Sequence, residues 1–152
     1  MKIIDHSILK TKSKDILKKS GADEFSAESV SKGLVETSLR GVDSHGIRLL
    51  PHYINALKNG RINGTPKFKI NDKYPALIGL DADNSFGHAA GFKSVEIGMK
   101  IAEEYGISAV SVLNSSHPGA MASFSLEAAR NGFCSFSFTH ADALIQSYGG
   151  KN

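Results

Sequence analysis

The first third of the chain carries apolar residues at helical spacing, with charged and polar residues between them. Four of these apolar positions belong to one predicted helix: Phe25, Val30, Leu34 and Leu39. Asp23 or Ser26 is suited to cap the start of that helix, and Gly41 is suited to end it in a left-handed turn. A shorter helix is predicted over residues 13–19, and a third over about residues 46–58.

The rest of the chain alternates between short apolar runs and longer amphipathic segments, which predicts a mixed α/β region. The predicted strands cover residues 68–70, 76–80, 107–113 and 133–139, and the predicted helices cover residues 89–105 and 120–131. Residues 81–87 are typical of a polar turn. Residues 114–119 form a loop after a strand, where open α/β sheets bind ligands. We therefore expect an α/β protein, with a helical region over residues 1–65 and the start of an α/β region over residues 66–152.

The composition is that of an ordinary globular domain. The chain has 152 residues, of which 41% are hydrophobic, and its formal net charge is +3. No basic stripe is interleaved with aromatic residues, so no nucleic-acid partner is predicted. No signal peptide and no apolar run of ~18 residues is present, which predicts a cytoplasmic protein that does not bind membranes. The single cysteine, Cys134, rules out an internal disulfide and is predicted to be buried and inert.

The densest polar chemistry lies in residues 41–53. Ser44, His45 and Arg48 place a hydroxyl, an imidazole and a guanidinium within a few positions of one another. Histidine exchanges protons near neutral pH, and the planar fork of arginine suits a carboxylate. If this segment is helical, His45, Arg48 and His52 share one face. The segment therefore predicts a site for a small acid that gains or loses a proton.

Three further histidines fall in possible site positions: His88, His117 and His140. His117 follows a serine in a polar loop with a nearby glycine, as His45 does, which is not typical of a core histidine. His140 directly follows a predicted strand. A lone histidine such as His88 is more often a structural hydrogen-bonding group than a catalyst.

Several common site motifs are absent from the sequence. No Gly-x-Gly-x-x-Gly follows a strand, no phosphate-binding Gly-x-x-x-x-Gly-Lys-Ser/Thr occurs, and neither His-Glu-x-x-His nor paired Cys-x-x-Cys occurs. Ser44 does not lie in the Gly-x-Ser-x-Gly elbow of a hydrolase nucleophile. We therefore predict neither a Rossmann dinucleotide site nor a metal site.

Four ordered segments carry a resemblance to a known family: residues 41–53, 81–88, 114–120 and 148–150. Together they resemble the malate/L-lactate dehydrogenase-like oxidoreductases, which include ureidoglycolate and sulfolactate dehydrogenases, diketogulonate reductase and piperideine-2-carboxylate reductase. This family has its own non-Rossmann fold. Its members are roughly twice as long as this chain, so the resemblance implies the N-terminal part of a larger, two-domain protein, with the cofactor domain incomplete.

The resemblance implies hydride transfer between NAD or NADP and a small 2-oxo or 2-hydroxy acid or a cyclic imino acid. In the family, the histidine that matches His45 donates or accepts the proton, and the serine that matches Ser44 assists it. In some members this role is given instead to the histidine that matches His117. Arg48 is implied to clamp the substrate carboxylate, with His52 as a second substrate-binding residue. The implied cofactor-binding residues are Thr139, His140 and Asp142. A homodimer is also implied, and the alternative is a non-catalytic truncated fragment that folds or dimerises but cannot bind the cofactor.

Overall fold

The computed structural model describes residues 3–140 as a mixed α/β structure, which confirms the predicted fold class. The helices are α1 (His6–Lys19), α2 (Glu24–Leu39), α3 (Leu50–Lys58), α4 (Gly87–Tyr105) and α5 (Ala122–Arg130). The strands are β1 (Lys69–Tyr74), β2 (Leu77–Ser85) and β3 (Ala109–Ser115). Two short 3-10 turns, Asp43–His45 and Ile47–Leu49, connect α2 to α3. No helix within residues 3–140 is long and apolar enough to cross a membrane.

The ends of the first two helices follow from their capping residues. The Asp23 carboxylate accepts a hydrogen bond of 2.7 Å from the Ser26 amide at the start of α2, as predicted. Gly41 follows that helix with a φ of +77°, the left-handed conformation expected of it. The first helix is longer than the predicted 13–19, because the Asp5 carboxylate caps it a full two turns earlier.

The predicted helix over residues 46–58 is wrong in its first turn. Gly46 adopts an extended conformation, which separates the two 3-10 turns, and α3 begins only at Leu50. The cause is a tertiary contact, because the Ser38 hydroxyl of α2 accepts a hydrogen bond of 2.9 Å from the Ile47 amide. Gly46 packs so closely on Ser38 that an added Cβ would collide with the hydroxyl. The predicted single helical face shared by residues 45, 48 and 52 therefore does not exist.

The sheet has the strand order β1-β2-β3, with β1 antiparallel to β2 and β2 parallel to β3. The second strand continues to Ser85, so the prediction of a turn over residues 81–87 is wrong for most of that range. Its pairing with β3 is irregular between Asp81 and Ser85. Asp83 and Asn84 have positive φ within this irregular stretch, which is why their polar, turn-forming composition misled the prediction.

The main apolar core lies where the helices meet the start of α4. Its buried members include Leu17, Val30, Leu34, Tyr53 and Phe86. A smaller core, formed by Ile78, Leu80 and Ile97, lies between the sheet and α4. Because the main core draws on both 1–65 and 66–152, the two predicted regions pack on each other in the described structure. The division itself remains a prediction.

The predicted strand over residues 133–139 is wrong in the described structure. This run has no strand pairing, and Phe136 and Phe138 are 86% and 87% exposed. Cys134 is exposed as well, so its predicted burial is also wrong. An apolar alternating run becomes a strand only when a neighbouring strand pairs with it, and within residues 3–140 none pairs with this one.

Candidate active site

The structure brings together two histidines that lie far apart in the sequence. His45 ends the first 3-10 turn and is half-buried, whereas His117 lies in the exposed loop after β3. Their ring centroids are 5.5 Å apart, with 34° between the ring planes. The loop after a parallel strand therefore faces the polar turn after α2, and the two proton-exchanging groups can reach one small molecule.

A serine hydroxyl contacts one nitrogen of the His45 ring. The Ser44 Oγ lies 2.9 Å from His45 Nδ1, and either atom can be the donor. Within residues 3–140, the Nε2 atom of His45 has no hydrogen-bond partner. A hydroxyl both donates and accepts, so the neutral ring of His45 can hold its proton on either nitrogen without losing this contact.

Tyr53, which the sequence analysis did not single out, contacts His117 from below. It lies on α3, is fully buried, and places its hydroxyl oxygen 2.7 Å from His117 Nδ1. The two rings are stacked with centroids 6.2 Å apart. Burial raises the pKa of the Tyr53 phenol above its ordinary value, so the phenol keeps its proton at neutral pH. A buried tyrosine needs a polar partner for its hydroxyl, and this general requirement is the one indication in the sequence that Tyr53 could contact a site residue.

His88, at the start of α4, also lies against Tyr53. It is fully buried, and neither ring nitrogen has a hydrogen-bond partner within residues 3–140. Its ring meets that of Tyr53 edge-on, with centroids 5.2 Å apart. Gly33 and Gly119 leave room for it, since a Cβ at Gly119 would lie 2.5 Å from His88 Nε2 and one at Gly33 would collide with the ring. This histidine is therefore held by packing rather than by the hydrogen bonds expected of a structural histidine.

The electrostatics of His88 follow from this enclosure. Burial, with a smaller contribution from nearby His117, lowers the pKa of His88 from 6.5 to about 3. The ring is therefore neutral throughout the physiological range and places no positive charge beside Tyr53.

The two predicted substrate-binding residues lie on the surface. Arg48 sits on the second 3-10 turn, is exposed, and makes no ion pair or hydrogen bond with any residue of the described range. His52 is exposed on α3, where its Nε2 lies 3.2 Å from a guanidinium nitrogen of Arg61. Its ring also contacts Tyr53 edge-on, with centroids 5.5 Å apart. Arg48 is thus available to a carboxylate, while His52 already has a polar neighbour.

The predicted cofactor contacts are less well enclosed. Thr139 and His140 are exposed at the end of the described range, and the Thr139 hydroxyl donates a 3.3 Å hydrogen bond to the His140 carbonyl. Asp142 lies outside the described residues. Within residues 3–140, no group of three His, Cys, Asp or Glu side chains has the arrangement needed to hold a metal ion.

Comparison with known proteins extends the resemblance to nearly the whole chain. A family model described as malate/L-lactate dehydrogenase matches residues 4–152. A malate dehydrogenase from Pyrococcus abyssi is 35% identical over 135 residues, which make up 89% of this chain and 37% of that protein. A ureidoglycolate dehydrogenase (NAD(+)) from Escherichia coli K12 is 30% identical over 145 residues, which make up 95% of this chain and 40% of that protein.

The fold is shared with solved structures of the same kind. A malate dehydrogenase from Entamoeba histolytica superposes with a TM-score of 0.82 at 36% identity, covering 86% of this chain and 37% of that one. The resemblance predicted from the four ordered segments is thereby confirmed. The chain spans less than half the length of the relatives named here, 37% and 40% for the two dehydrogenases above.

Proposed function

The chain belongs to the malate/L-lactate dehydrogenase family. We therefore propose that it forms part of an oxidoreductase that acts on small acids. The reaction is hydride transfer between NAD or NADP and a 2-oxo or 2-hydroxy acid, or a cyclic imino acid. The observation that carries this proposal is the 5.5 Å contact between His45 and His117, with Ser44 and Tyr53 on their Nδ1 atoms. Such an arrangement is suited to moving one proton at a substrate oxygen or nitrogen.

His45 is the proposed proton donor in the reducing direction and the acceptor in the oxidising direction. As the substrate carbon gains a hydride, its oxygen or nitrogen takes a proton from the imidazolium form of His45, which is left as the neutral imidazole. The Ser44 hydroxyl turns to suit either protonation state of Nδ1, which lets the pair act as a relay. General acid–base catalysis of this kind contributes about 10²–10⁴-fold to a rate.

Arg48 is the proposed partner of the substrate carboxylate. A guanidinium binds a carboxylate through two parallel hydrogen bonds, which fixes the acid's orientation as well as its position. The exposed Arg48 side chain, with no ion pair inside the described range, is ready for that contact. His52 is proposed as a second substrate-binding residue from its place beside Tyr53.

The nicotinamide cofactor would supply or accept the hydride, while the residues of this chain handle the proton and the carboxylate. Thr139, His140 and Asp142 remain the proposed cofactor contacts, and their support is the family resemblance. The same resemblance supports a homodimer, and the sequence pattern supports a location in the cytoplasm. The resemblance also supports a substrate-side region over residues 1–65 and the beginning of a cofactor region over residues 66–152.

The test is an absorbance assay for oxidation of NADH or NADPH by the purified chain. It is run with a panel of 2-oxo acids and cyclic imines. Turnover with at least one acid is expected, and it should require the carboxylate, since the matching alcohol or ketone lacks a partner for Arg48. Binding of small acids with no turnover and no cofactor binding across the panel would instead support the non-catalytic alternative.

A further inference from the structure

The two facing histidines differ in what touches their Nδ1 atoms. Nδ1 of His45 meets the hydroxyl of Ser44, which is exposed and free to rotate. Nδ1 of His117 meets the hydroxyl of Tyr53, whose ring is fully buried and enclosed by neighbouring rings. The Ser44 contact allows Nδ1 of His45 to be protonated or unprotonated, whereas the Tyr53 contact with His117 is held in one geometry.

The direction of the hydrogen bond between Tyr53 and His117 follows from the acceptors within reach. The Tyr53 hydroxyl lies 2.7 Å from His117 Nδ1 and 3.4 Å from the His117 carbonyl oxygen. If Nδ1 carried a proton and donated it to the phenol, the phenol's own hydrogen would be left with the distant carbonyl alone. A buried donor without a good acceptor is strongly disfavoured. The phenol therefore donates to Nδ1.

The surroundings of Tyr53 keep it a donor. Its phenol stays protonated because burial raises its pKa, and the neighbouring His88 is neutral and so does not favour the phenolate. The phenol ring is also packed against the rings of His117 and His88. The hydroxyl accordingly has one stable direction.

We infer that Tyr53 is a positioning residue that fixes neutral His117 in the tautomer with its proton on Nε2. This assigns different roles to the two histidines, and that assignment rests on the proposed function. His117 offers a fixed N–H donor to the substrate oxygen, where negative charge develops. His45, with its rotating Ser44 partner, exchanges the proton.

The test is the protonation state of each His117 nitrogen, read from long-range proton–nitrogen NMR spectra of the ¹⁵N-labelled 152-residue chain at neutral pH. Signals of His117 are assigned by their loss in His117→Gln. We expect an unprotonated Nδ1 and a protonated Nε2 at His117, whereas His45 should show averaging between the two tautomers. This readout does not depend on turnover, so it separates failure of the inference from failure of the proposed function.

Two variants complete the test. Tyr53→Phe should give His117 a measurable population with the proton on Nδ1, while Tyr105→Phe, at an exposed tyrosine of α4, should leave its spectrum unchanged. A protonated Nδ1 in the unaltered chain overturns the inference, as does an unchanged His117 spectrum in folded Tyr53→Phe. The spectrum of the unaltered chain decides the tautomer by itself if Tyr53→Phe does not fold.

Discussion

Two parts of the chain carry the predicted site residues, and their surroundings differ sharply. The histidine corner, defined by His45, Tyr53, His88 and His117, is built from α3, α4, a 3-10 turn and the loop after β3. The terminal run, residues 131–140, follows α5, pairs with no strand within residues 3–140, and exposes Phe136 and Phe138. In the corner each ring contacts another ring, whereas in the described structure the terminal run is joined to α5 by hydrogen bonds such as that of 2.9 Å from the Ser125 hydroxyl to the Ser137 hydroxyl.

The difference shows what makes a polar cluster suitable for chemistry. A polar side chain is better suited to catalysis when neighbours that are themselves packed hold it in position. Within the corner, the buried side chains of Tyr53 and His88 supply that packing. Thr139 and His140 have no such support in the described structure, so their part in cofactor binding rests on resemblance alone. The predictions below test this contrast, beginning with the largest effect.

Loss of the His45 imidazole should have the largest effect on turnover. His45→Ala removes the proposed proton donor, so kcat should fall by about 10²–10⁴-fold in the NAD(P)H assay. The control is His6→Ala, at an exposed histidine at the start of α1, which should leave kcat unchanged. Unaltered turnover in His45→Ala would contradict the assignment and move attention to His117.

Loss of the His117 imidazole should lower kcat somewhat less than loss of His45, and a conservative variant should recover part of the lost kcat. His117→Ala removes a fixed donor to the substrate oxygen, for which a fall in kcat of about 10²–10³-fold is typical. His117→Gln restores an N–H donor, so it should regain part of that loss. Equal activity of the Ala and Gln variants would argue against a donor role.

Crowding the corner should destabilise the fold more than the same change in the terminal run. Gly119→Ala brings a Cβ within 2.5 Å of His88 Nε2, whereas Gly132→Ala meets no atom within 4 Å. Both glycines have positive φ, +75° and +85°, so the backbone strain is common to both variants. Overpacking should therefore lower the free energy of unfolding of Gly119→Ala by about a further 1–3 kcal/mol. Urea unfolding measures the free energy of unfolding of each variant. Equal decreases in the two variants would mean that the corner is loosely packed.

The buried His88 should make the fold sensitive to mild acid. The unfolded chain takes up a proton at this position below about pH 6.5, while the folded chain does so only near pH 3, so acid favours unfolding. Between pH 7 and pH 5 the loss should be about 2 kcal/mol. Tyr53 and His117 are the titratable groups that face His88, and neither is altered in the test variant.

The measurement compares urea unfolding at the two pH values for the unaltered chain and for His88→Gln, which cannot titrate. The acid-induced loss should shrink by about 2 kcal/mol in His88→Gln. His52→Gln, at an exposed histidine of α3, should keep the full loss. An identical acid response in His88→Gln and the unaltered chain would show that His88 is hydrated.

Local patterns sufficed for the elements whose signals are short-range. The Asp23 cap and the left-handed Gly41 were predictable because each acts within a few residues of its own helix end. The long helix α4 and its closing Gly106, which has a φ of +76°, follow from the same kind of signal. The break at Gly46 was not predictable, because it depends on Ser38 of another helix.

For the candidate site, the sequence by itself determined which groups are present, and their order supported the family to which the chain belongs. His45, Arg48 and His117 carry their chemistry in their side chains wherever they lie. Only the tertiary structure decided that His45 and His117 face each other, that Tyr53 contacts one of them, and that a neutral His88 packs beneath. The physical reason is that proton exchange is a property of one side chain, whereas distance, burial and tautomer belong to a set of residues that only folding brings together.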